Sequence, residues 1–103
     1  MRSNVAEVVA KGRHGSSADA QMLVSCAEAA LRKQAHTDAF PMLDQALTLD
    51  PENVRAWVLM GMCHEQGGRL GPAKEAYATA LGLDDRHPAC RTALARMLLI
   101  DSR

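Results

Sequence analysis

A chain of 103 residues with a formal net charge of zero has room for one domain around one core. Its twelve basic and twelve acidic side chains form no basic cluster, which argues against nucleic acid as a partner. The sequence has neither an apolar run of membrane-spanning length nor the apolar core of a secretory signal, so we expect a cytoplasmic protein that contacts no membrane.

The composition favours helices throughout. Alanine and leucine supply most of the apolar content, and runs with the two-residue alternation of strands are absent. Residues 1–16 are the exception, because Gly12 and Gly15 interrupt any helix there. We predict that residues 1–16 form a flexible N-terminal arm, with a short helix as the alternative, and that residues 17–101 form one all-α domain.

The first two helices are predicted from residues that commonly cap helices. Ser16-Ser17 precede a helix over about 18–33, and Thr37-Asp38 precede a second helix that ends near Leu49. Pro41 is expected in the first turn of this second helix, where its missing N–H costs little. The short connection predicts that the two helices run antiparallel.

Proline starts and glycine stops predict three more helices. Asp50-Pro51 begins the third helix, and Gly67-Gly68 ends it because glycine accepts the left-handed backbone of a helix end. Gly71-Pro72 opens a fourth helix that ends near Leu83. The fifth helix is predicted over about 88–100.

An internal repeat relates the two halves of the domain. A shift of 34 residues places Ala39 on Ala73 and the run Ala46–Asp50 on Ala80–Asp84, and it places Val24 on Val58. A period of 34 residues with two helices per period is the spacing of tetratricopeptide repeats.

The segment 54–87 resembles that family in its motif residues. Its first helix carries the expected tryptophan and glycine, and its second carries the expected small and aromatic residues, at Trp57, Gly61, Ala73, Tyr77 and Ala80. His64 and Asp85 depart from the motif, and we interpret His64 as a partly buried residue in an aromatic position. The segment 20–53 matches more weakly.

The resemblance implies a right-handed superhelical stack of antiparallel helix pairs. Unit one would cover about 20–53, unit two about 54–87, and a terminal helix about 88–100. We predict that Trp57 is a packing residue, and that Gly61, Ala73 and Ala80 are small because paired helices approach closely.

No arrangement of residues indicates catalysis, and we predict that the chain is not an enzyme. The four histidines lack metal-ligand spacing, so neither a metal nor a cofactor is expected. Three cysteines without a Cys-x-x-Cys pair are interpreted as reduced core thiols, Cys26, Cys63 and Cys90.

The resemblance also implies a binding surface, because in that family the first helices of successive units line a concave groove that holds a partner. The positions matching this lining are mostly apolar with charged flanks, namely Val24, Glu28, Leu31, Arg55, Val58, Leu59, Met62, Arg96 and Leu99. The Lys and Asn pairs with which some family members clamp a C-terminal carboxylate are missing. We therefore expect another protein as partner, offering an amphipathic helix or an extended apolar segment.

Two functions are compatible with this pattern. The first is an adaptor or chaperone, since the size and helix layout resemble the small repeat chaperones and cochaperones of bacterial type III secretion systems. The second is self-assembly, because apolar residues surround much of the fifth helix, including Leu94, Met97, Leu98, Leu99 and Ile100. In that case the chain would form a homodimer through this C-terminal helix.

Overall fold

The computed structural model describes residues 18–101, and the predicted arm over residues 1–16 lies outside them. Within the described residues the chain forms helices and no strand, which confirms the all-α prediction. In chain order the helices are α1 over 18–32, α2 over His36–Leu49, α3 over Val54–Gln66, α4 over Leu70–Leu83 and α5 over Pro88–Asp101.

The helices pack in chain order. α3 packs against both α2 and α4, and α4 packs against α5. This arrangement is expected when each unit contacts only its neighbours.

The core consists of two clusters of buried side chains. One joins α1, α2 and α3 with Ala76 of α4 and includes Leu43 and Cys63, and the other joins α3, α4 and α5 and includes Tyr77 and Met97. Trp57 is partly buried against both clusters, and its indole Nε1 donates a hydrogen bond to the Pro51 carbonyl at 2.8 Å. It therefore packs between the units.

Small residues let α3 and α4 approach closely. A Cβ atom added to Gly61 would lie 2.5 Å from the ring of Tyr77, which is fully buried. Ala73 and Ala80 are also fully buried on α4. The expected role of these small residues is thus visible in the packing.

The start of α2 differs from its prediction. The helix begins at His36, so Thr37 and Asp38 lie in its first turn and do not cap it. Ala35 occupies the capping position without a side-chain hydrogen bond, and Pro41 falls in the second turn. The caps were misplaced because threonine and aspartate are also accepted inside a first turn, where an acidic side chain favours the helix dipole.

The start of α3 also needs correction. Asp50 ends α2, and Asn53 caps α3 by accepting a hydrogen bond from the Ala56 N–H at 2.9 Å. The Asn53 amide in turn donates to Asp50 at 3.3 Å. Pro51 therefore lies in the turn between the helices and is not the first residue of α3.

The ends of α1 and α3 share one geometry. Gly68 has a φ of 77°, as predicted for a glycine stop, and Gln34 has a φ of 62°. Each left-handed residue donates to the carbonyl three residues back at 3.0 Å, and the next residue donates to the carbonyl five back. Both ends are Schellman motifs, and the positions are related by the 34-residue shift. The left-handed Gln34 was not predicted.

Candidate partner-binding surface

Side chains of α1, α3 and α5 meet on one face of the stack. Arg55 of α3 forms an ion pair with Glu28 of α1, and Arg96 of α5 forms an ion pair with Glu65 of α3. We name this surface the first-helix face and define it by its half-buried or exposed residues Glu28, Arg55, Met62, Glu65, Ala89, Arg96 and Leu99. The two ion pairs bridge successive units.

Glu65 connects this face to the core. Its carboxylate accepts a hydrogen bond from the Tyr77 hydroxyl at 2.6 Å and one from Arg96 at 3.2 Å. Burial raises the pKa of Glu65, but the hydrogen bonds from Arg96 and Tyr77 outweigh it, so the net pKa is lowered. Burial, followed by the hydrogen bond to Glu65, raises the pKa of Tyr77. The carboxylate therefore stays charged and fixed in place.

Met62 lies between the two ion pairs. Helical spacing places it on the same stripe of α3 as Arg55, two turns earlier, and Glu65, three residues later. Its side chain is 39% exposed although α3 is the central helix of the stack. A flexible thioether at this place can adapt to apolar groups of different shape.

Four predicted contact residues belong to the core, which corrects their assignment to the open surface. The exposed fractions are 1% for Val24, 3% for Leu31, 6% for Val58 and 4% for Leu59. Val24, Leu31 and Leu59 pack in the core cluster that includes Leu43, and Val58 packs in the cluster that includes Tyr77. In this conformation they support the surface from beneath.

The remaining predicted residues stay accessible. Glu28 is half-buried and pairs with Arg55 and also with Arg32 at 3.5 Å. Arg96 is exposed, and Leu99 is 71% exposed on α5. The structure thus brings Glu28, Arg55, Met62 and Arg96 together across α1, α3 and α5, with Leu99 further along α5.

The cysteines divide into two environments. Cys63 and Cys90 are buried, and burial raises the pKa of each thiol. Cys26 is exposed, so its prediction as a core thiol is wrong. Among residues 18–101 no group of three histidine, cysteine or acidic side chains is placed to hold a metal ion.

One further group of polar residues lies outside the surface predicted from the sequence. His36 and Thr37 at the start of α2, together with Phe40 and Arg69, surround His64 in a cleft. The only sequence signal was the departure of His64 from the aromatic motif position. Contributions from two helices and a turn cannot be recognised from spacing along one helix.

Comparison with known proteins settles the family. Residues 30–97 match the tetratricopeptide repeat family. The chain belongs to this family. The finding confirms the resemblance drawn from the 34-residue period and the motif residues of the second unit.

A solved structure agrees with the fold and with a role in binding. The second TPR domain of the human RPAP3 protein, in complex with the HSP70 peptide SGPTIEEVD, superposes with a TM-score of 0.73 at 26% identity. The match covers 88% of this chain and 76% of that domain chain. The family and this structural relative identify the chain as a protein–protein interaction module.

A sequence relative matches over a shorter stretch. Protein NPG1 of Arabidopsis thaliana is 36% identical over 47 residues, which are 46% of this chain and 7% of that protein. The chain therefore spans only a small part of this relative's length. In the part of the chain that is described, no helix is both long and apolar enough to cross a bilayer.

Proposed function

We propose that this tetratricopeptide repeat protein is a non-catalytic adaptor or chaperone that binds an apolar or amphipathic segment of a partner protein on the first-helix face. The observation that carries the proposal is the exposure of Met62, 39% on the central helix, between two ion pairs that bridge the units. An accessible apolar side chain at the centre of a surface, with charges around it, is the arrangement expected of a binding hot spot.

The repeat explains why the surface is apolar at this point. In the first unit, Glu28 pairs with Arg55 across α1 and α3. The 34-residue shift places Met62 and Ala89 at the corresponding positions across α3 and α5. An ion pair at one junction is thus replaced by two apolar residues at the next, which leaves an apolar opening for a partner side chain.

The charges on this face favour an apolar ligand over an acidic one. Both arginines are already engaged, Arg55 with Glu28 and Arg96 with Glu65. The peptide bound by the RPAP3 domain ends in Glu-Glu-Val-Asp. An acidic tail of that kind would need an unpaired cation here. We therefore propose that the partner inserts apolar side chains near Met62 and leaves both ion pairs at the rim.

A narrower biological role rests on size and layout. A short stack of repeat helices with an apolar binding face is the layout of type III secretion chaperones, and we propose this class of client binding for the chain. A cytoplasmic location accompanies that role as a prediction.

To test the proposal, the chain is immobilised and peptides that bind it are selected from a random display library. Binding of the tightest peptide is measured by fluorescence anisotropy for the wild type, Met62→Glu and Met22→Glu. Met22 is 63% exposed on α1 and lies outside the first-helix face, so it is a control of matched chemistry. We expect Met62→Glu to weaken binding at least tenfold, about 1.4 kcal/mol, because the new carboxylate must be desolvated.

The melting temperature of each variant separates binding from folding. Both substitutions are at exposed positions and should leave it nearly unchanged. Normal binding by Met62→Glu, or an equal loss in Met22→Glu, would show that the partner docks elsewhere.

A second candidate function is self-assembly through α5. Leu98 and Leu99 are 59% and 71% exposed, so the accessible surface of α5 includes large apolar side chains. Exposed apolar patches of this kind often form interfaces between copies. Light scattering over a hundredfold range of protein concentration distinguishes the two functions, since a stable dimer that Leu99→Glu dissociates would favour self-assembly.

A further inference from the structure

A cleft separate from the first-helix face lies at the junction of the two units, where the start of α2 meets the end of α3. It is lined by His36, Thr37, Phe40, His64 and Arg69. The rings of Phe40 and His64 meet edge to face, with centroids 5.8 Å apart. None of these residues belongs to the first-helix face, so the proposed function leaves their chemistry unexplained.

Two side-chain nitrogens, one of them from the arginine Arg69, converge at the mouth of this cleft. A Cβ atom added to Gly67 would lie 3.3 Å from Nε2 of His36 and 3.4 Å from Nη2 of Arg69, so both nitrogens border the same spot. Among the described residues, Arg69 makes no ion pair with a carboxylate. The Arg69 charge also acts on His64. Burial is the main cause of the lowered pKa of His64, and the positive charge of Arg69 lowers it further. Within residues 18–101 the cleft thus contains a positive charge that no carboxylate neutralises.

The start of α2 adds further donors. Ala35 gives the helix no side-chain cap, so the N–H groups of His36 and Thr37 have no acceptor within the helix, whereas the Asp38 N–H donates to the Ala35 carbonyl at 3.1 Å. Thr37 contributes a hydroxyl group at the same end. Asp38 is also in this turn, but it lines the neighbouring cleft between α1 and α2. The free N–H groups therefore add hydrogen-bond donors beside Arg69, while Asp38 in the same turn offsets part of the helix dipole.

The repeat provides an internal comparison for these side chains. The 34-residue shift relates His36 to Leu70 and His64 to Leu98 at the next junction. The fold therefore accepts leucine at both positions. Stacking therefore does not require two histidines beside an arginine that has no carboxylate partner in the described part of the chain, which indicates that these histidines serve another purpose.

We infer that this cleft binds a phosphoryl group carried on a side chain of a partner protein. Arginine and histidine N–H groups and uncapped helix amides are the donors that phosphate oxygens accept from, and a phosphorylated side chain carries nearly two negative charges at neutral pH. Phe40 supplies an apolar wall for the residue beside the phosphorylated one. The site binds without reaction and lies apart from the first-helix face.

The test follows the imidazole Hε1 resonances of the full chain by NMR during titration with inorganic phosphate, O-phospho-L-serine or sodium acetate, at constant ionic strength. We expect saturable shifts at His36 and His64 with both phosphate probes and none with acetate. His87, in the turn before α5, is the internal control and should not shift with saturation.

Two arginine variants with the same change in charge test the assignment. Arg69→Gln should weaken O-phospho-L-serine binding at least tenfold, whereas Arg86→Gln, in the turn between α4 and α5, should leave it unchanged. His36→Leu, which copies the residue of the next junction, should weaken binding without unfolding the chain. If Arg69→Gln lowers the melting temperature, His36→Leu alone decides.

Three results would overturn the inference. The first is a linear, unsaturated shift at His36 and His64, and the second is an equal loss in Arg69→Gln and Arg86→Gln. The third is an equal affinity for inorganic phosphate and O-phospho-L-serine, which would assign the cleft to free phosphate. Tighter binding of O-phospho-L-serine supports a phosphorylated side chain as the source.

Discussion

At the scale of single residues, the contact between Gly61 and Tyr77 sets how closely α3 and α4 approach. The Tyr77 ring has no room to move, because it is fully buried and its hydroxyl donates to Glu65 at 2.6 Å. Any side chain at position 61 would press on this ring. The same contact therefore holds Glu65 in position on the first-helix face.

Replacing Gly61 with alanine should destabilise the fold. Overpacking costs about 1–3 kcal/mol, which the better helix propensity of alanine offsets by at most about 1 kcal/mol. Gly82→Ala on α4 is the matched control, because a Cβ atom there would meet nothing within 4 Å. Urea unfolding should show a loss for Gly61→Ala and none for Gly82→Ala. Equal stability of the two variants would contradict the packing described.

The sequence predicted the small and aromatic residues of this contact but not which surface residues stay open. Val58 and Met62 share one stripe of α3, yet one is 6% and the other 39% exposed. Helical spacing identifies the side of a helix that faces a groove. It does not show how far the next unit covers that side, which depends on how the units stack.

At the scale of elements, the helix ends differ most between sequence and structure. Glycine stops were predicted correctly at Gly67-Gly68, because left-handed backbone has a clear residue preference. The starts of α2 and α3 were misplaced, since several polar residues near each start could all serve as caps. The turn after Pro51 places Asn53 where its side chain caps α3. The local sequence does not reveal the geometry of this turn.

Gln34 offers a direct test of the Schellman motifs. A non-glycine residue in left-handed backbone is strained, so Gln34→Gly should raise the free energy of unfolding by about 0.5–1 kcal/mol despite the greater freedom of glycine when unfolded. Gly68→Ala, at the equivalent position, should lower it by about 1 kcal/mol. Thermal unfolding of the two variants measures both changes in the free energy of unfolding. A shift of both in the same direction would show that the two helix ends are not equivalent.

At the scale of the whole molecule, the binding surface arises only from stacking. The 34-residue shift relates Glu28, Met62 and Arg96 on α1, α3 and α5, three helices that ion pairs connect across the units. The inter-unit pairs Arg55–Glu28 and Arg96–Glu65 then border the apolar centre. The repeat period predicted this alignment, whereas the pairing of particular charges depends on side-chain geometry between units.

Whether a partner docks at Met62 can be observed by NMR of the chain labelled with ¹³C at its methionine methyl groups. The library-selected peptide is added while the methyl signals are recorded. We expect the Met62 signal to shift most, the signal of the exposed Met22 to stay in place, and those of the buried Met60 and Met97 to change little. A peptide that binds without moving the Met62 signal, or that moves only Met22, would contradict the first-helix face as the binding site.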